Sequence, residues 1–573
     1  MNEKVAQMLY GFALFLEIGR VPFKPRAYEK AAYTIESLDT DIREIYKAGG
    51  LRALWELPGI GKGIAEKIEE FLETGSVKEY ERIRKKMPIN IEELGHIEGI
   101  GPQTLKVLYT KLGVKDLASL KKAALAGKIR KLPHFGYKSE EKILKAIGFH
   151  ERSGGRFLLG EILPMARNIR EKLLHISGVK RVEIGGSLRR FEETVGDIDL
   201  LAQASHPQEV TDFFAHLPEV AHVYAKGKTK SSVRLAKGID MDLRIVPSRS
   251  FGAALQYFTG NKDHNIMMRK LAIQKGYKLN EYGLFRGSRQ AAGETEESIY
   301  KALGVPMPIP ELRQGRDELE KTYRGVIQLS DLRGDFQVQT DWTDGSGSIL
   351  QMAERAKALG HEYIAITDHT KSLAMTGGSD ERKLQRQMAE IDRLQKKLSG
   401  IKILKGAEVN ILKDGLLDID SRVLKKLDIV GAAVHSLFKL SRHEQTLRII
   451  RAMENPHVDI IFHPTGRVLH KRDPYQVDME VLLEAARRTG TVMEIDAHPW
   501  RLDLKDEHIR MGKKKGIYFS IDSDAHSPVE LSLLEYGVGQ ARRAGLEKSH
   551  VLNTYPLGEL KKILSMPKEK RFS

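Results

Sequence analysis

The first 150 residues carry a helical pattern of apolar positions, interrupted only by short turns rich in glycine. Apolar residues recur three and four positions apart, which is the spacing of an amphipathic helix with one buried face. The run at the start is broken by Glu17 and has no cleavage site, so it predicts a core helix rather than a signal peptide. Its apolar positions are Val5, Met8, Leu9, Phe12, Phe15 and Leu16.

The middle of the chain mixes helical spacing with short strands. Residues 155–250 contain three strand-like segments, and residues 251–318 return to helix and loop. The stretch from Gly315 to Gly334 is charged and has no periodic pattern, so residues 319–332 are predicted to be a linker. The strand-like segments are Val182–Ile184, Ile198–Ala202 and Asp240–Val246.

From about residue 335 onward, short apolar strands alternate with amphipathic helices. Repeated βα units of this kind predict a parallel, barrel-like domain. The predicted fold class is therefore multidomain α/β and α+β: a helical N-terminal region, a mixed β-sheet with helices, and a C-terminal barrel. The barrel strands are predicted at Tyr363–Thr367, Lys402–Leu404, Ile429–Ala433, Ile460–Phe462, Val492–Ile495 and Tyr518–Ile521.

Composition narrows the class of protein. A chain of 573 residues is too long for one hydrophobic core, and its hydrophobic content of 41% indicates a globular protein. The absence of cysteine excludes disulfides and predicts a reducing, cytoplasmic location. The net charge of +16 favours a polyanionic partner such as nucleic acid, although a solvated basic surface is an equally simple interpretation. No window is long enough to cross a membrane.

The N-terminal region contains an internal repeat. Leu57–Ala65 and Ile97–Leu105 share a G-x-G turn that leads into a helix, and Leu132–Ser139 is a looser third copy. This is the pattern of a helix-hairpin-helix, whose N–H groups at a helix start bind a phosphate of the nucleic-acid backbone without reading bases. One copy alone indicates only a tight turn. The predicted DNA-binding positions are Gly59, Gly61, Lys62, Gly99 and Gly101.

The segment Gly185-Gly186-Ser187-Leu188-Arg189-Arg190 is followed closely by Asp197-Ile198-Asp199. Residues at i and i+2 of a strand point to the same face, so the two aspartates can hold divalent cations together. Two glycines before a serine let backbone N–H groups approach a phosphate closely. These are the parts of a phosphoryl or nucleotidyl transfer site. The alternative is a surface pair of aspartates beside a turn.

Residues 1–318 resemble the family X DNA polymerases, the DNA polymerase beta-like repair enzymes. The motifs keep the family's order: Lys24–Lys30 with two alanines, the hairpins, GGSLRR with GDIDLL, the strand Met241–Ile245, and Tyr257-Phe258-Thr259-Gly260. The resemblance implies a helical lyase-like domain (1–84), a second helix-hairpin-helix region (85–150), a nucleotidyltransferase palm (151–250) and a nucleotide-selection subdomain (251–318).

The resemblance also implies the roles of single residues. Asp197 and Asp199 would bind two Mg²⁺ ions, and Asp242 would bind the catalytic ion and help deprotonate the primer 3′-hydroxyl. Asp240 is the alternative third ligand, two residues away. Ordinary core packing is the alternative role for Tyr257 and Phe258. The implied nucleotide-binding residues are Gly186, Ser187, Arg190, Tyr257, Phe258, Gly260, Asn265 and Arg269.

Lys67 stands where the family has its lyase nucleophile. A lysine can form a Schiff base with a sugar aldehyde when its pKa is lowered, and Lys24 and Tyr28 are predicted to assist and to contact DNA. Phe23 and Gly63 depart from the polar or basic residues of eukaryotic relatives, and a helix lysine is usually solvated. A monovalent cation at the hairpin loops is a further expectation.

Residues 333–573 contain potential metal ligands near the ends of predicted strands, and in a parallel barrel these ends converge on one face. This half resembles the PHP (polymerase and histidinol phosphatase) domain, a distorted (βα)7-like barrel that binds three metals and hydrolyses phosphoesters, as a 3′–5′ exonuclease in bacterial polymerases. The implied ligands are Asp344, His369, Glu408, His435, His463, Asp524 and His526.

The chain departs from the PHP pattern at its first motif, where two histidines are replaced by Gln337 and Gln339. An amide oxygen is a poorer donor than imidazole for Mn²⁺ or Zn²⁺. The prediction is that this first site, which by analogy also uses Glu408 and Asp524, is empty or weak. We therefore expect the domain to bind fewer than three metal ions and its exonuclease activity to be weakened or lost. His498 is an alternative substitute ligand.

The sequence therefore predicts a template-dependent, gap-filling polymerase of base excision repair that acts on gapped or primed DNA with dNTPs, as a monomer. A small-substrate or tRNA nucleotidyltransferase shares the GGS and D-x-D core, but does not explain the tandem hairpins. A DNA-binding scaffold with decayed chemistry is the third alternative. Three intact aspartates argue against that scaffold in the N-terminal half, and the two glutamines argue for it in the C-terminal half.

Overall fold

A computed structural model describes residues 1–18, 24–36, 38, 40–57, 59–86, 89–90, 94, 100, 102–133 and 135–572. The chain forms two compact units. The first contains residues 1–157, 166–184 and 196–251, and the second contains residues 158–165, 185–195 and 252–573. No helix in the described ranges is long and apolar enough to cross a membrane.

The N-terminal part of the first unit is helical, which confirms the prediction from apolar spacing. Val5, Leu9 and Phe12 are fully buried on one face of the first helix. Residues 5–77 and 89–147 build two separate hydrophobic cores. The helices are Asn2–Ile18, Lys24–Glu36, Ile42–Trp55, Lys62–Thr74, Lys78–Lys86, Pro102–Leu112, Leu117–Leu125 and Tyr137–Ser153, with a 3-10 turn at Ile129–Lys131.

A five-stranded mixed sheet completes the first unit. Its two central strands, Asp197–Ala204 and Asp240–Ile245, are parallel, and the outer pairings are antiparallel. Buried residues alternate with half-buried residues along Asp240–Ile245, which leaves one face of the sheet for polar side chains. The spatial order is Val179–Ile184, Asp197–Ala204, Asp240–Ile245, Lys230–Leu235 and Val220–Lys226. The flanking helices are Leu159–Leu174 and Pro207–Ala215.

The region 251–318 contains a small sheet that the sequence interpretation missed. Three antiparallel strands run through residues 278–292, where only helix and loop were predicted. Each strand has three or four residues, which is too short for alternation to be recognised. The strands are Lys278–Asn280, Gly283–Arg286 and Arg289–Ala292, and the helices around them are Gly186–Arg189, Ser248–Thr259, Lys262–Gln274 and Glu296–Ala302, with a 3-10 turn at Pro310–Leu312.

The predicted linker, residues 319–332, is mostly exposed, but three of its residues are buried in neighbouring cores. Ile327 and Leu332 belong to the hydrophobic core of the C-terminal barrel, and Leu319 joins the core of the region before it. A 3-10 turn at Leu329–Asp331 lies between them. The segment lacks a periodic pattern because its buried residues contact different partners one at a time, instead of lining one face of a helix or strand.

Seven parallel strands form the C-terminal barrel, in the same order in space as in sequence. Every residue of six of the strands is buried, which is typical of parallel strands covered by helices on their outer side. A bridge between Val338 and Ala525 joins the first strand region to the last. The strands are Gly334–Val338, Tyr363–Ile366, Lys402–Asn410, Ile429–Ala433, Ile460–Ile461, Val492–Asp496 and Phe519–Asp522.

Five of the eight barrel helices begin at a side-chain cap. Ser348 and Ser441 each make a capping box with the residue three positions later, which satisfies free N–H groups at the helix start. The helices are Ile349–Ala358, Glu381–Gln395, Ser421–Leu424, Arg442–Met453, Met479–Thr489, Asp506–Lys515, Leu534–Arg543 and Leu557–Ser565. The 3-10 turns are Ala374–Thr376, Glu530–Leu533, Lys548–His550, Leu552–Thr554 and Lys568–Lys570.

Candidate active sites

The aspartates of the first unit lie on two neighbouring parallel strands. Asp197 pairs in register with Asp240, and Asp199 pairs with Asp242. Residues in register on adjacent strands share a face, so all four carboxylates belong to the polar side of the sheet. The residues between them, Ile198 among them, are buried on the opposite side. The fold therefore presents a row of carboxylates on one face of the sheet.

Asp240 is held by a neighbouring strand. Its carboxylate forms a two-bond ion pair with Arg234, at 2.8 Å from Nε and 3.0 Å from Nη2, and it accepts a hydrogen bond of 3.1 Å from the Tyr224 hydroxyl. Asp242 instead lies between Asp199 and Ser232 in the sheet register. This geometry favours Asp242 over Asp240 as the third ligand. The oxygens of the three aspartates do not all lie within 4.8 Å of one another.

The glycine-serine turn lies in the second unit and begins a single helical turn, Gly186–Arg189. Gly186 has a φ of +60°, a left-handed conformation that glycine adopts without a steric penalty. The Ser187 hydroxyl oxygen is buried and has no hydrogen-bond partner among the residues that the structure describes. Arg189 donates to both oxygens of the Glu296 carboxylate, at 3.0 and 2.6 Å. The turn is thus anchored by Arg189.

Residues 257–260 approach this turn within the second unit. Arg190 donates a hydrogen bond to the carbonyl of Thr259, and Arg189 donates to the Thr259 hydroxyl at 2.6 Å. The rings of Tyr257 and Phe258 meet edge to face, with centroids 5.1 Å apart, and both are half-buried. Gly260 has a φ of +59° and follows them directly.

Asn265 supports this turn from the next helix. Its Nδ2 donates to the carbonyl of Tyr257 at 2.7 Å, and its Oδ1 accepts from Gln256 Nε2 at 2.9 Å. Arg269 lies one helical turn further on and is exposed. Asn265 therefore orders the Tyr257 backbone in the free protein, and contact of either side chain with a nucleotide stays a prediction.

The first hairpin has the geometry of a phosphate-binding helix start. Gly59 has a φ of +78°, and Gly61 is an extended N-cap residue without a side-chain hydrogen bond to the helix Lys62–Thr74. Gly61, Lys62 and Gly63 are all exposed. The first N–H groups of a helix have no partner within the helix and attract anions. Gly99 and Gly101, the matching positions of the second hairpin, lie outside the described residues.

Lys67 lies on the same helix and forms an ion pair with Glu79 of the next helix, with Nζ 2.9 Å from Oε2. Its Nζ also donates to the carbonyl of Gly63 at 3.3 Å. Burial lowers the pKa of Lys67, but the hydrogen bond and charge of Glu79 and the nearby Tyr28 hydroxyl outweigh burial, so the net pKa is raised. Tyr28 is buried against Phe12, whereas Lys24 is exposed. The free protein thus holds Lys67 protonated, which opposes its use as a nucleophile.

Glu408 is the centre of the barrel site and is fully buried. Its Oε1 lies 3.0 Å from His435 Nε2 and 2.8 Å from His463 Nε2. Its Oε2 lies 3.2 Å from His369 Nδ1 and accepts a hydrogen bond of 3.0 Å from Gln339 Nε2. Burial raises the pKa of Glu408, but the charges of His369 and His435 and hydrogen bonds from His435 and His463 hold it well below its usual range.

Two clusters in the described chain have ligand atoms within 4.8 Å of one another, and both belong to the barrel. One contains Asp344, His369 and His526. The other contains His369, Glu408 and His435, with His463 beside Glu408. Imidazole and carboxylate donors at this spacing fit Mn²⁺ or Zn²⁺.

The remaining implied ligand and the two glutamines have protein partners. Asp524 lies 3.3 Å from the Nε of Arg501, which also lies 3.4 Å from Asp496. The Gln337 amide faces Glu494, with its nitrogen 2.5 Å from Oε1 in the orientation that satisfies both groups. The residues around the first PHP position therefore do not form a three-ligand cluster. His498 also stays outside both clusters.

Asn410 is a site residue that the sequence interpretation missed. Its Oδ1 lies 2.8 Å from His435 Nδ1, and its Nδ2 donates to Asp418 Oδ2 at 2.9 Å. This pairing fixes the ring of His435 so that Nε2 faces Glu408. The signal was present in the sequence, because Glu408 and Asn410 are two residues apart and share one face of a strand.

Family models match four parts of the chain: a helix-hairpin-helix domain at 1–77, a SAM-like helix-hairpin-helix tandem at 91–148, a DNA polymerase beta thumb at 254–314 and a PHP domain at 335–497. The DNA polymerase/3′-5′ exonuclease PolX of Bacillus subtilis (strain 168) is 38% identical over 576 residues, covering 98% of this chain and 99% of the relative.

Two further relatives each match only part of the chain. DNA polymerase lambda of Arabidopsis thaliana is 29% identical over 322 residues, or 50% of this chain and 57% of the relative. A probable phosphatase of Thermoanaerobacter sp. (strain X514) is 32% identical over 233 residues, or 39% of this chain and 90% of the relative. With the full-length match, these confirm that the chain belongs to the family X DNA polymerases with a C-terminal PHP domain, enzymes that bind DNA and use divalent metal ions.

Proposed function

We propose that this chain is a template-dependent polymerase that fills gaps in DNA during base excision repair. The observation that carries the proposal is the strand register that sets Asp199 beside Asp242, with Asp197 on the same face. Mg²⁺, when bound by these three carboxylates, supplies Lewis-acid activation of the 3′-hydroxyl and charge neutralisation of the phosphates. Asp242 is the proposed acceptor of the 3′-hydroxyl proton.

The incoming dNTP is proposed to bind the turn at Gly186 and Ser187. The Ser187 hydroxyl, which lacks a protein partner in the described chain, is available to donate to a phosphate oxygen. Arg190 neutralises charge on the leaving pyrophosphate. The aromatic pair Tyr257 and Phe258, together with Gly260, is proposed to pack against the sugar, while Asn265 and Arg269 reach the nucleotide.

The hairpins are proposed to bind DNA through its backbone. Exposed N–H groups at Gly61 and Lys62 would contact a phosphate, with a monovalent cation at the loop. Gly59 supplies the turn, and Lys24 and Tyr28 are the proposed contacts beside it. We further propose that the protein acts in the cytoplasm as a monomer on gapped or primed DNA.

The PHP domain is proposed to be a 3′–5′ exonuclease or phosphoesterase module with fewer than three ions of Mn²⁺ or Zn²⁺. The two clusters around Glu408 and Asp344 support two ions. Gln337 and Gln339 offer amides where the family has imidazoles, and both amides are engaged by Glu494 and Glu408. A weakened nuclease follows from the missing ligands.

The test is primer extension on gapped DNA with Mg²⁺, using wild type and the double variant Asp197→Ala/Asp199→Ala. We expect wild type to fill the gap according to the template and the variant to lose at least about 1,000-fold in rate, because both metal positions lose ligands. Equal extension by the two proteins, or no extension by wild type, would contradict the polymerase proposal. Incorporation without regard to template would instead favour a nucleotidyltransferase.

A further inference from the structure

The helical turn Gly186–Arg189 is here called the phosphate turn, because it contains the proposed triphosphate contacts Gly186 and Ser187. The four residues that follow it are each contacted by the PHP domain. Residues 190–193, here called the post-turn segment, lie in the second unit together with the barrel. The backbone carbonyl of Arg190 accepts from Arg543 Nη1 at 2.9 Å, and that of Phe191 accepts from Gln540 Nε2 at 3.0 Å. Both donors belong to the last turns of the barrel helix Leu534–Arg543.

The two acidic side chains of the segment are also paired with the barrel. Glu192 lies 3.1 Å from Arg543 Nη2, and Glu193 accepts from Arg467 Nη2 at 2.7 Å. Arg543 is itself oriented by Asp506, at 3.2 Å from the same Nη2. Its side chain is only 8% exposed, so these charge-assisted bonds are shielded from bulk water.

The fit at Phe191 is steric as well as polar. Phe191 has a φ of +51°, an unfavourable conformation for a bulky residue that persists only when the surroundings enforce it. Its ring lies against Gly539, where a Cβ would come within 2.3 Å of Phe191 Cδ1. Gly539 therefore allows the barrel helix to approach the segment closely and hold its backbone.

We infer that Arg543, Gln540 and Gly539 are positioning residues for nucleotidyl transfer. They hold the post-turn segment in place and thereby fix the position of the phosphate turn. The inference rests on the proposed function, because Gly186, Ser187 and Arg190 are the proposed triphosphate contacts. Arg190 is held at both ends. Its backbone carbonyl accepts a hydrogen bond from the Arg543 guanidinium, and its side chain donates a hydrogen bond to the carbonyl of Thr259. The PHP domain thus serves the polymerase through packing, independently of its metal chemistry.

The chain offers a matched control at the next residue. Arg542 lies on the same helix and makes the same kinds of bond, to Glu311 at 2.7 Å and to the carbonyl of Ile327 at 3.1 Å. None of these partners belongs to the post-turn segment. Arg542→Gln therefore removes an equivalent guanidinium from the domain junction without touching the phosphate turn.

The experiment measures KM and kcat for single dTTP insertion opposite adenine in gapped DNA, with the full-length protein. We expect Arg543→Gln to raise the KM for dTTP by about tenfold with a smaller change in kcat, because the loss weakens ground-state binding of the triphosphate. Arg543→Lys should restore part of the affinity. Gly539→Ala, which keeps every charge, should raise KM in the same direction because its methyl group displaces Phe191.

Two outcomes would overturn the inference. One is an unchanged KM in both Arg543→Gln and Gly539→Ala, and the other is an equal rise in Arg542→Gln, which would indicate general loosening of the junction. The affinity for gapped DNA without dTTP should stay constant, since a global folding defect would lower it. Failure of the proposed function is distinguishable, because wild type itself would then not insert dTTP.

Discussion

The carboxylates of the palm sheet and those of the PHP barrel occupy opposite surroundings. Asp197 is exposed and Asp199 is half-buried on an open sheet face, whereas Glu408 is fully buried among imidazoles. An exposed or half-buried carboxylate keeps part of its contact with water. A buried carboxylate must instead have partners inside the protein, because uncompensated burial of a charge is costly.

The comparison shows where substitution is tolerated. In the barrel, Gln339 donates a hydrogen bond to Glu408, so an amide joins the three imidazoles that surround this buried carboxylate. On the sheet face, Asp240 is already paired with Arg234, so the loss of a neighbouring aspartate would leave the proposed metal site one carboxylate short. We therefore expect the barrel to keep its structure when a ligand is substituted, and the sheet to lose its proposed chemistry.

The largest expected effect distinguishes the two candidate third aspartates of the sheet. Asp242→Asn should lower kcat for nucleotide insertion by about 1,000-fold, roughly 4 kcal/mol of transition-state stabilisation. Asp240→Asn, the matched variant in which Arg234 loses its partner, should cost no more than about tenfold. Steady-state insertion into gapped DNA measures both. The reverse order would show that Asp240 is the ligand.

The second effect concerns the buried centre of the barrel. Glu408→Gln should weaken Mn²⁺ binding by about 100-fold, because the cluster of His369, Glu408 and His435 loses its only carboxylate. Metal analysis and Mn²⁺ titration of the purified protein measure this. Glu381→Gln, which removes a half-buried carboxylate paired with Lys371, is the control. An unchanged metal content in Glu408→Gln would contradict the assigned site.

A third, smaller effect tests the substituted motif. Gln337→His together with Gln339→His should add one metal ion per chain and raise Mn²⁺-dependent 3′–5′ exonuclease activity by about tenfold. The double variant Gln337→Asn/Gln339→Asn controls for the change of side chain. Strong exonuclease in the wild type that His435→Ala abolishes, with no gain from the added histidines, would show that two ions suffice.

The smallest effect concerns Lys67. Glu79→Gln should lower the pKa of Lys67, because the ion pair that raises it is lost, and should increase borohydride trapping of a 5′-deoxyribose phosphate end by about threefold at pH 7.5. Trapping should also rise with pH, since the neutral amine is the nucleophile. Lys67→Ala must abolish it. Equal trapping by Lys67→Ala would assign the lyase chemistry to another residue.

The sequence predicted most of the architecture that depends on local pattern. The helical N-terminal region and the barrel strands followed from periodicity, since a buried face repeats every few residues wherever an element packs. Asp197 and Asp199 were predicted from a short motif that fixes their spacing on one strand, whereas Asp242 and the barrel ligands were implied by the family resemblance. The small sheet at 278–292 and the burial of Leu319, Ile327 and Leu332 in the linker were not predicted, because neither segment has a run long enough to carry a pattern.

Tertiary structure decided what spacing left open. Strand spacing left Asp240 and Asp242 both possible as the third ligand, and the family resemblance favoured Asp242. In the structure, the neighbouring strand brings Arg234 to Asp240 and so separates the two. The contact of Arg543 with Arg190 joins residues 353 positions apart. The sequence by itself determined the helical region, the barrel strands and the family, and it named the candidate active residues. Which of these residues meet, and which are neutralised by a partner, was set by long-range packing, because charge pairing depends on distance in space rather than along the chain.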